Sequence, residues 1–128
     1  MNSDLRSPLN RARGLGSAKD GVHHWWAQRL TALALIPLVI WFAISLVMMS
    51  GADYGMVRAW IGSPIAMVLL ILTIVIGLHH GQLGIQVVIE DYVHSEGLKL
   101  ALIVAVRFIA VFFGLAATVA IMRIGFGG

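Results

Sequence analysis

Cysteine is absent from this 128-residue chain. That excludes disulfides and any iron–sulfur cluster held by the chain's own thiolates. Charge is scarce: 12% of the residues are Asp, Glu, Lys or Arg, against about 25% in an ordinary soluble domain. There is no P-loop, no GxGxxG, no HExxH and no serine nucleophile elbow. The usual equipment for binding a dinucleotide or for hydrolysis is therefore missing. What fills the chain instead is apolar sequence, 59% by residue. A water-soluble core cannot absorb that much, because too little polar surface would remain to cover it. The bilayer is the natural solvent.

The expected fold is an all-α membrane protein with three transmembrane helices. Residues 30–49 carry no charge and match the roughly 20 residues needed to cross the hydrocarbon core. Trp25 and Trp26 precede them, where indole rings favour the headgroup layer. Pro37 in the middle removes a backbone donor and predicts a kink. Residues 50–54 form a short turn. Residues 61–89 form the second span, again free of Asp, Glu, Lys and Arg, and long enough that it must tilt or project beyond the core. The polar segment EDYVHSEG, residues 90–97, leads to the third span at residues 98–122. The closing Gly125-Phe126-Gly127-Gly128 reads as a frayed end.

Residues 1–21 read as a polar, extended N-terminal arm and residues 22–128 as a single three-helix transmembrane domain. No small-residue cleavage site follows the first apolar run, which is too long for a signal core, so the N terminus is expected to be retained. Net charge is +3. Arg6, Arg11, Arg13 and Lys19 precede the first span, sparse and without interleaved aromatics, which argues against nucleic-acid binding. Cations flanking a span mark the cytoplasmic side, so the arm and the EDYVHSEG loop are expected there, with Arg58 and Arg123 as exceptions.

His79 and His80 stand inside the second span. Ionisable groups there face a protein interior or a cofactor, and neutral imidazole is a common iron ligand. The alternative is an interhelical hydrogen bond. Adjacent helical residues point about 100° apart, so one cofactor can face only one of the two well. Gly77 and Gly84 flank His80 on nearly the same face, leaving a recess where a macrocycle could lie. Close helix packing is the competing reading, since Gly77 and Gly81 also make a GxxxG spacing. Asp91 follows His80 by eleven residues, on the same face and about 16 Å away. The phenol of Tyr92 can donate to a quinone carbonyl or serve as an aromatic-belt residue. Arg29 can meet a heme propionate or snorkel to lipid phosphate. Arg107, eight residues beyond Lys99, either snorkels or finds a buried anionic partner.

The stretch HHGQLGIQVVIEDYVH, residues 79–94, resembles the signature of the D-type hydrophobic anchor subunits of succinate dehydrogenase. Its elements here are His80, Gly84, Gln86-Val87 and Asp91-Tyr92. Gly21-Val22-His23, followed by Arg29, Thr31 and Ala32, is similar to the start of that family's first helix. The resemblance implies a bacterial inner-membrane protein that packs with a C-type cytochrome b anchor subunit into a heme-binding bundle. His80 would be one axial ligand of heme b, with the other supplied by that partner. Gly77 and Gly84 would pack against the heme. Tyr92 and Asp91 would form part of the ubiquinone site, with Arg29 and His23 near the propionates or the quinone pocket. The flavoprotein and iron–sulfur subunits would dock on the cytoplasmic face, and succinate would be oxidised there and not in this chain. An anchor of a quinol–fumarate reductase, and a non-redox transporter subunit or scaffold, are the alternatives.

Overall fold

The computed structural model describes the backbone from Gly16 to Gly127 and side chains from Gly21 onward. Four helices follow one another: α1 (Gly16–Met48), α2 (Tyr54–Gly62), α3 (Pro64–Tyr92) and α4 (Glu96–Gly125). Three of them, α1, α3 and α4, are long and apolar enough to cross a membrane.

The helix ends differ from the expected ones for identifiable reasons. α1 begins at Gly16, within the segment expected to be an extended arm, whose residues 1–15 lie outside the described residues. Once the span has nucleated a helix, each further residue adds a hydrogen bond at low cost, and no proline stops it before Pro37. α1 also continues through Pro37, whose missing N–H leaves the Leu33 carbonyl without its helical donor. It ends in a turn in which Ala52 N–H donates to Met49 O at 2.9 Å, with Gly51 at φ 82°, a left-handed position that favours glycine.

Asp53 then caps α2, its Oδ1 accepting from Met56 N–H at 2.8 Å. The second span starts at Pro64, not at residue 61, because the residue before a proline is pushed out of the α region. Ser63 is extended (φ −69°, ψ 139°), so Ile61 and Gly62 close α2 while Pro64 opens α3 at a position where its missing N–H costs nothing. α3 runs on through the expected polar loop to Tyr92, which shortens the connection to residues 93–95. Ser95 O accepts from Lys99 N–H at 2.8 Å to start α4. At 29 residues α3 is about 43 Å long, exceeding a hydrocarbon core of about 30 Å.

α3 is the middle of an open layer. It packs against α1 on one side and α4 on the other, while the backbones of α1 and α4 do not approach each other among the described residues. Both packings are antiparallel. Gln28 and Leu35 of α1 face Gly84 and Gly77 of α3, and Leu78 and Met67 of α3 face Gly114 and Gly125 of α4. The start of α1 and the α3–α4 turn therefore share one side. α2 crosses close to the end of α4, where a Cβ on Gly62 would lie 3.4 Å from Gly125 Cα, and Trp60 of α2 stacks on Trp41 of α1.

The internal core is thin. Leu38, Ala66, Leu70, Leu83, Ile89 and Ile121 are the buried apolar side chains, whereas Phe108, Phe112 and Phe113 on α4 stand exposed. Such a surface is stable in lipid or against other subunits, not in water.

Candidate functional site

The two seams of α3 sort its polar residues. On the α1 side a stripe of α1 residues spaced by three or four places His24, Gln28, Thr31 and Leu35 along one face. Thr31 Oγ1 lies 3.0 Å from His80 Nδ1, the one hydrogen bond described between α1 and α3. The same hydroxyl meets its own helix at Ala27 O (2.6 Å) and Gln28 O (3.1 Å). The missing Cβ atoms of Gly77 and Gly84 both point at α1. A Cβ would sit 3.9 Å from Leu35 Cδ2 and 3.8 Å from Gln28 Nε2, respectively. The glycines thus let α1 approach closely enough for Thr31 to reach His80.

One turn beyond His80, a cavity of about 480 Å³ opens between the helices. His24, Trp25, Gln28, Arg29, Gly84 and Val87 are among its lining residues. The Arg29 guanidinium lies 5.5 Å from the Trp25 ring centroid, which turns its charge over an aromatic face. Two buried polar atoms at this seam, His24 Nε2 and Gln28 Oε1, have no hydrogen-bond partner. Such groups are costly when left unpaired, and they call for a ligand, a water or another subunit.

On the α4 side the polar groups find each other. Gln86 Oε1 accepts from Arg107 Nη2 and from Gln82 Nε2, each at 3.3 Å, and Gln86 Nε2 donates to Glu90 Oε1 at 2.8 Å. Arg107 therefore bends towards the α3–α4 turn. Its immediate partner is an amide, with the carboxylate one turn further. His79 opens onto this side. It lines a cavity of about 540 Å³ between α3 and α4, together with Gln82, Leu83, Arg107 and Gly114.

The sequence-derived candidates thus separate. His80, Gly77, Gly84 and Arg29 gather along the α1–α3 seam. His23 is exposed and does not line the cavity, whereas its neighbour His24 does. Asp91 is exposed and Tyr92 is 77% exposed at the end of α3, on the side where α1 begins. His24, Gln28 and the Gln82–Gln86–Glu90 ladder escaped the sequence reading. The ladder's spacing of four between polar residues in an apolar span was a usable signal; the i, i+4 relation of His24 to Gln28 was another.

Fold and site define a three-span membrane protein whose α1–α3 seam carries His80 beside buried polar atoms without partners. A family model described as "Succinate dehydrogenase/Fumarate reductase transmembrane subunit" matches residues 3–114. The chain is 34% identical over 125 residues to a succinate dehydrogenase hydrophobic membrane anchor subunit of Rickettsia bellii, covering 98% of this chain and 100% of the relative. It is 32% identical over 121 residues to the protein of that name from Paracoccus denitrificans, covering 94% and 93%. A succinate dehydrogenase membrane anchor subunit of Reclinomonas americana is 30% identical over 96 residues, 73% of this chain and 80% of the relative. The chain belongs to the succinate dehydrogenase membrane anchor family. It is thus a multi-pass membrane subunit of an oxidoreductase that assembles with the other subunits of that enzyme.

The residues of the α1–α3 seam suit a heme. His80 uses Nδ1 within the chain and has no partner at Nε2 among the described residues. The Arg29 cation and the unpartnered His24 Nε2 and Gln28 Oε1 lie along the same seam.

Proposed function

We propose that this chain, together with a C-type cytochrome b anchor subunit, binds heme b and ubiquinone in the inner membrane of a bacterium and docks the iron–sulfur and flavoprotein subunits. The supporting observation is the gathering of His80, Arg29 and the unpartnered His24 and Gln28 atoms on one seam of an open layer. A layer that exposes α1 and α4 on either side of α3 is half of a bundle, and a second anchor subunit is the natural other half.

In this reading His80 would hold the heme iron from this chain, together with a residue of the partner subunit. The heme supplies a one-electron redox centre within the membrane. Arg29 pairs with a propionate, and Gln28 and His24 hydrogen-bond the polar edge of the same pocket. Gly84 keeps α1 close beside it. Tyr92 donates its phenolic hydrogen to a ubiquinone carbonyl at the membrane boundary, and Asp91 shapes that site. Their exposure in the isolated chain leaves them accessible to the subunits that complete the site. Electrons from succinate arrive through clusters in the iron–sulfur subunit, because this chain has no thiolate to hold one. The N-terminal arm and the α3–α4 turn lie on the cytoplasmic side and receive the soluble subunits, in keeping with the positive flank of α1.

Purified complex tests the reading. It is expected to contain b-type heme and to reduce ubiquinone with succinate. Complex that turns over ubiquinone without heme would remove the cofactor half of the proposal, and normal turnover in Tyr92→Phe would remove the quinone half. Assays in both directions, with ubiquinone and a low-potential quinone, separate this role from that of a fumarate reductase anchor.

A further inference from the structure

His80 and Thr31 meet in a way that determines where the protons are. Thr31 Oγ1 has three neighbours: Ala27 O at 2.6 Å, Gln28 O at 3.1 Å and His80 Nδ1 at 3.0 Å. A hydroxyl has one proton to give, and a carbonyl oxygen can only accept. Two oxygens at 2.6 Å with no proton between them would set lone pair against lone pair. The Thr31 proton therefore goes to the Ala27 carbonyl, with Gln28 O as its weaker second acceptor. Thr31 then has only lone pairs to offer His80, so Nδ1 must be the donor. In the neutral imidazole this selects the Nδ1–H tautomer, which leaves the free lone pair on Nε2, on the far side of the ring from Thr31.

We infer that Thr31 is the positioning residue that holds His80 in the tautomer and orientation required of an iron ligand. This inference rests on the proposal that His80 ligates heme. A metal-bound histidine commonly donates its other ring N–H to a fixed acceptor, which sets the tautomer and raises the basicity of the ligating nitrogen. Here the acceptor is itself doubly fixed. Its hydroxyl is anchored to the preceding turn of α1, and a β-branched side chain in a helix has little freedom about χ1. The same contact distinguishes the adjacent histidines. His79 has no hydrogen-bond partner among the described residues and opens onto the α4 side.

The test uses the complete four-subunit complex, with Thr31→Val, Thr31→Ser and His80→Ala beside the wild type. Potentiometric titration of the heme and its visible spectrum are the readouts. Donation from Nδ1–H favours oxidised iron, so Thr31→Val, which keeps the shape and loses the acceptor, is expected to retain heme at a raised midpoint potential. Thr31→Ser is expected to restore the wild-type potential. A wild-type potential and spectrum in Thr31→Val would overturn the inference while leaving His80 as the ligand. A wild-type spectrum in His80→Ala would instead overturn the ligand assignment and the inference with it. If Thr31→Val does not assemble, Thr31→Ala, which adds no bulk, gives the same readings. Failure of both to assemble would show a packing role and also overturn the inference.

Discussion

α3 meets α1 along one seam and α4 along the other, and the two seams treat polar side chains in opposite ways. Towards α4, Arg107, Gln82, Gln86 and Glu90 hydrogen-bond one another within the chain. Towards α1, a single hydrogen bond joins the helices among the described residues, while His24 Nε2 and Gln28 Oε1 stay buried and unpartnered. The α4-side ladder ties two helices together, although His79 beside it has no described hydrogen-bond partner. An incomplete seam implies that something else completes it. The adjacent histidines fall on different sides of this division, and only His80 belongs to the incomplete seam.

The largest effect that can break this contrast is a wedge. Gly84→Leu would force α1 away from α3, separate Thr31 from His80 and abolish heme incorporation, read as the heme-to-protein ratio of purified complex. Normal heme content in that variant would mean that the seam is not the heme pocket. Next comes Tyr92→Phe, which removes one hydrogen-bond donor. It should lower succinate–ubiquinone turnover by about tenfold, the equivalent of roughly 1.4 kcal/mol, with the heme spectrum unchanged.

The α4 seam should respond in stability and not in spectrum. Gln86→Leu leaves Arg107 and Glu90 without their shared partner and should destabilise the complex by about 1–2 kcal/mol in thermal unfolding. Adding Arg107→Leu should recover part of that loss, with a coupling of about 0.6 kcal/mol as for other interhelical contacts in membranes. A shifted heme spectrum in Gln86→Leu would mean that the two seams are not independent. The smallest effect belongs to Gly84→Ala. Its Cβ would meet Gln28 Nε2 only at 3.8 Å, so a change within about 0.5 kcal/mol is expected in thermal unfolding, with heme retained.

The three spans were legible because apolar runs of that length, two of them uncharged and the third carrying Lys99 and Arg107, have one economical solution, the bilayer. Their ends were not. Hydropathy joined Ile61 and Gly62 to the second span, whereas Pro64 separates them through a backbone clash that hydropathy does not see. The start of α1 at Gly16 depends on helix propagation through polar residues, which composition assigns to an arm. The 100° offset of His79 and His80 was readable, but what each one faces depends on which helix lies on which side of α3. The glycine face gave the direction, since Gly77 and Gly84 both turn towards α1. Arg107 could not be assigned a partner because Gln86 is 21 positions away and meets it only when α4 packs back on α3. His23 was singled out through a resemblance of short motifs, while His24 occupies the seam through its four-residue spacing from Gln28.

The most direct test of the central claim is a reduced-minus-oxidised visible spectrum of the purified complex, comparing wild type, His79→Ala and His80→Ala. The two-seam account predicts that a b-type signal survives in His79→Ala and is lost or strongly shifted in His80→Ala. Loss in His79→Ala with retention in His80→Ala would place the ligand on the α4 side and contradict it.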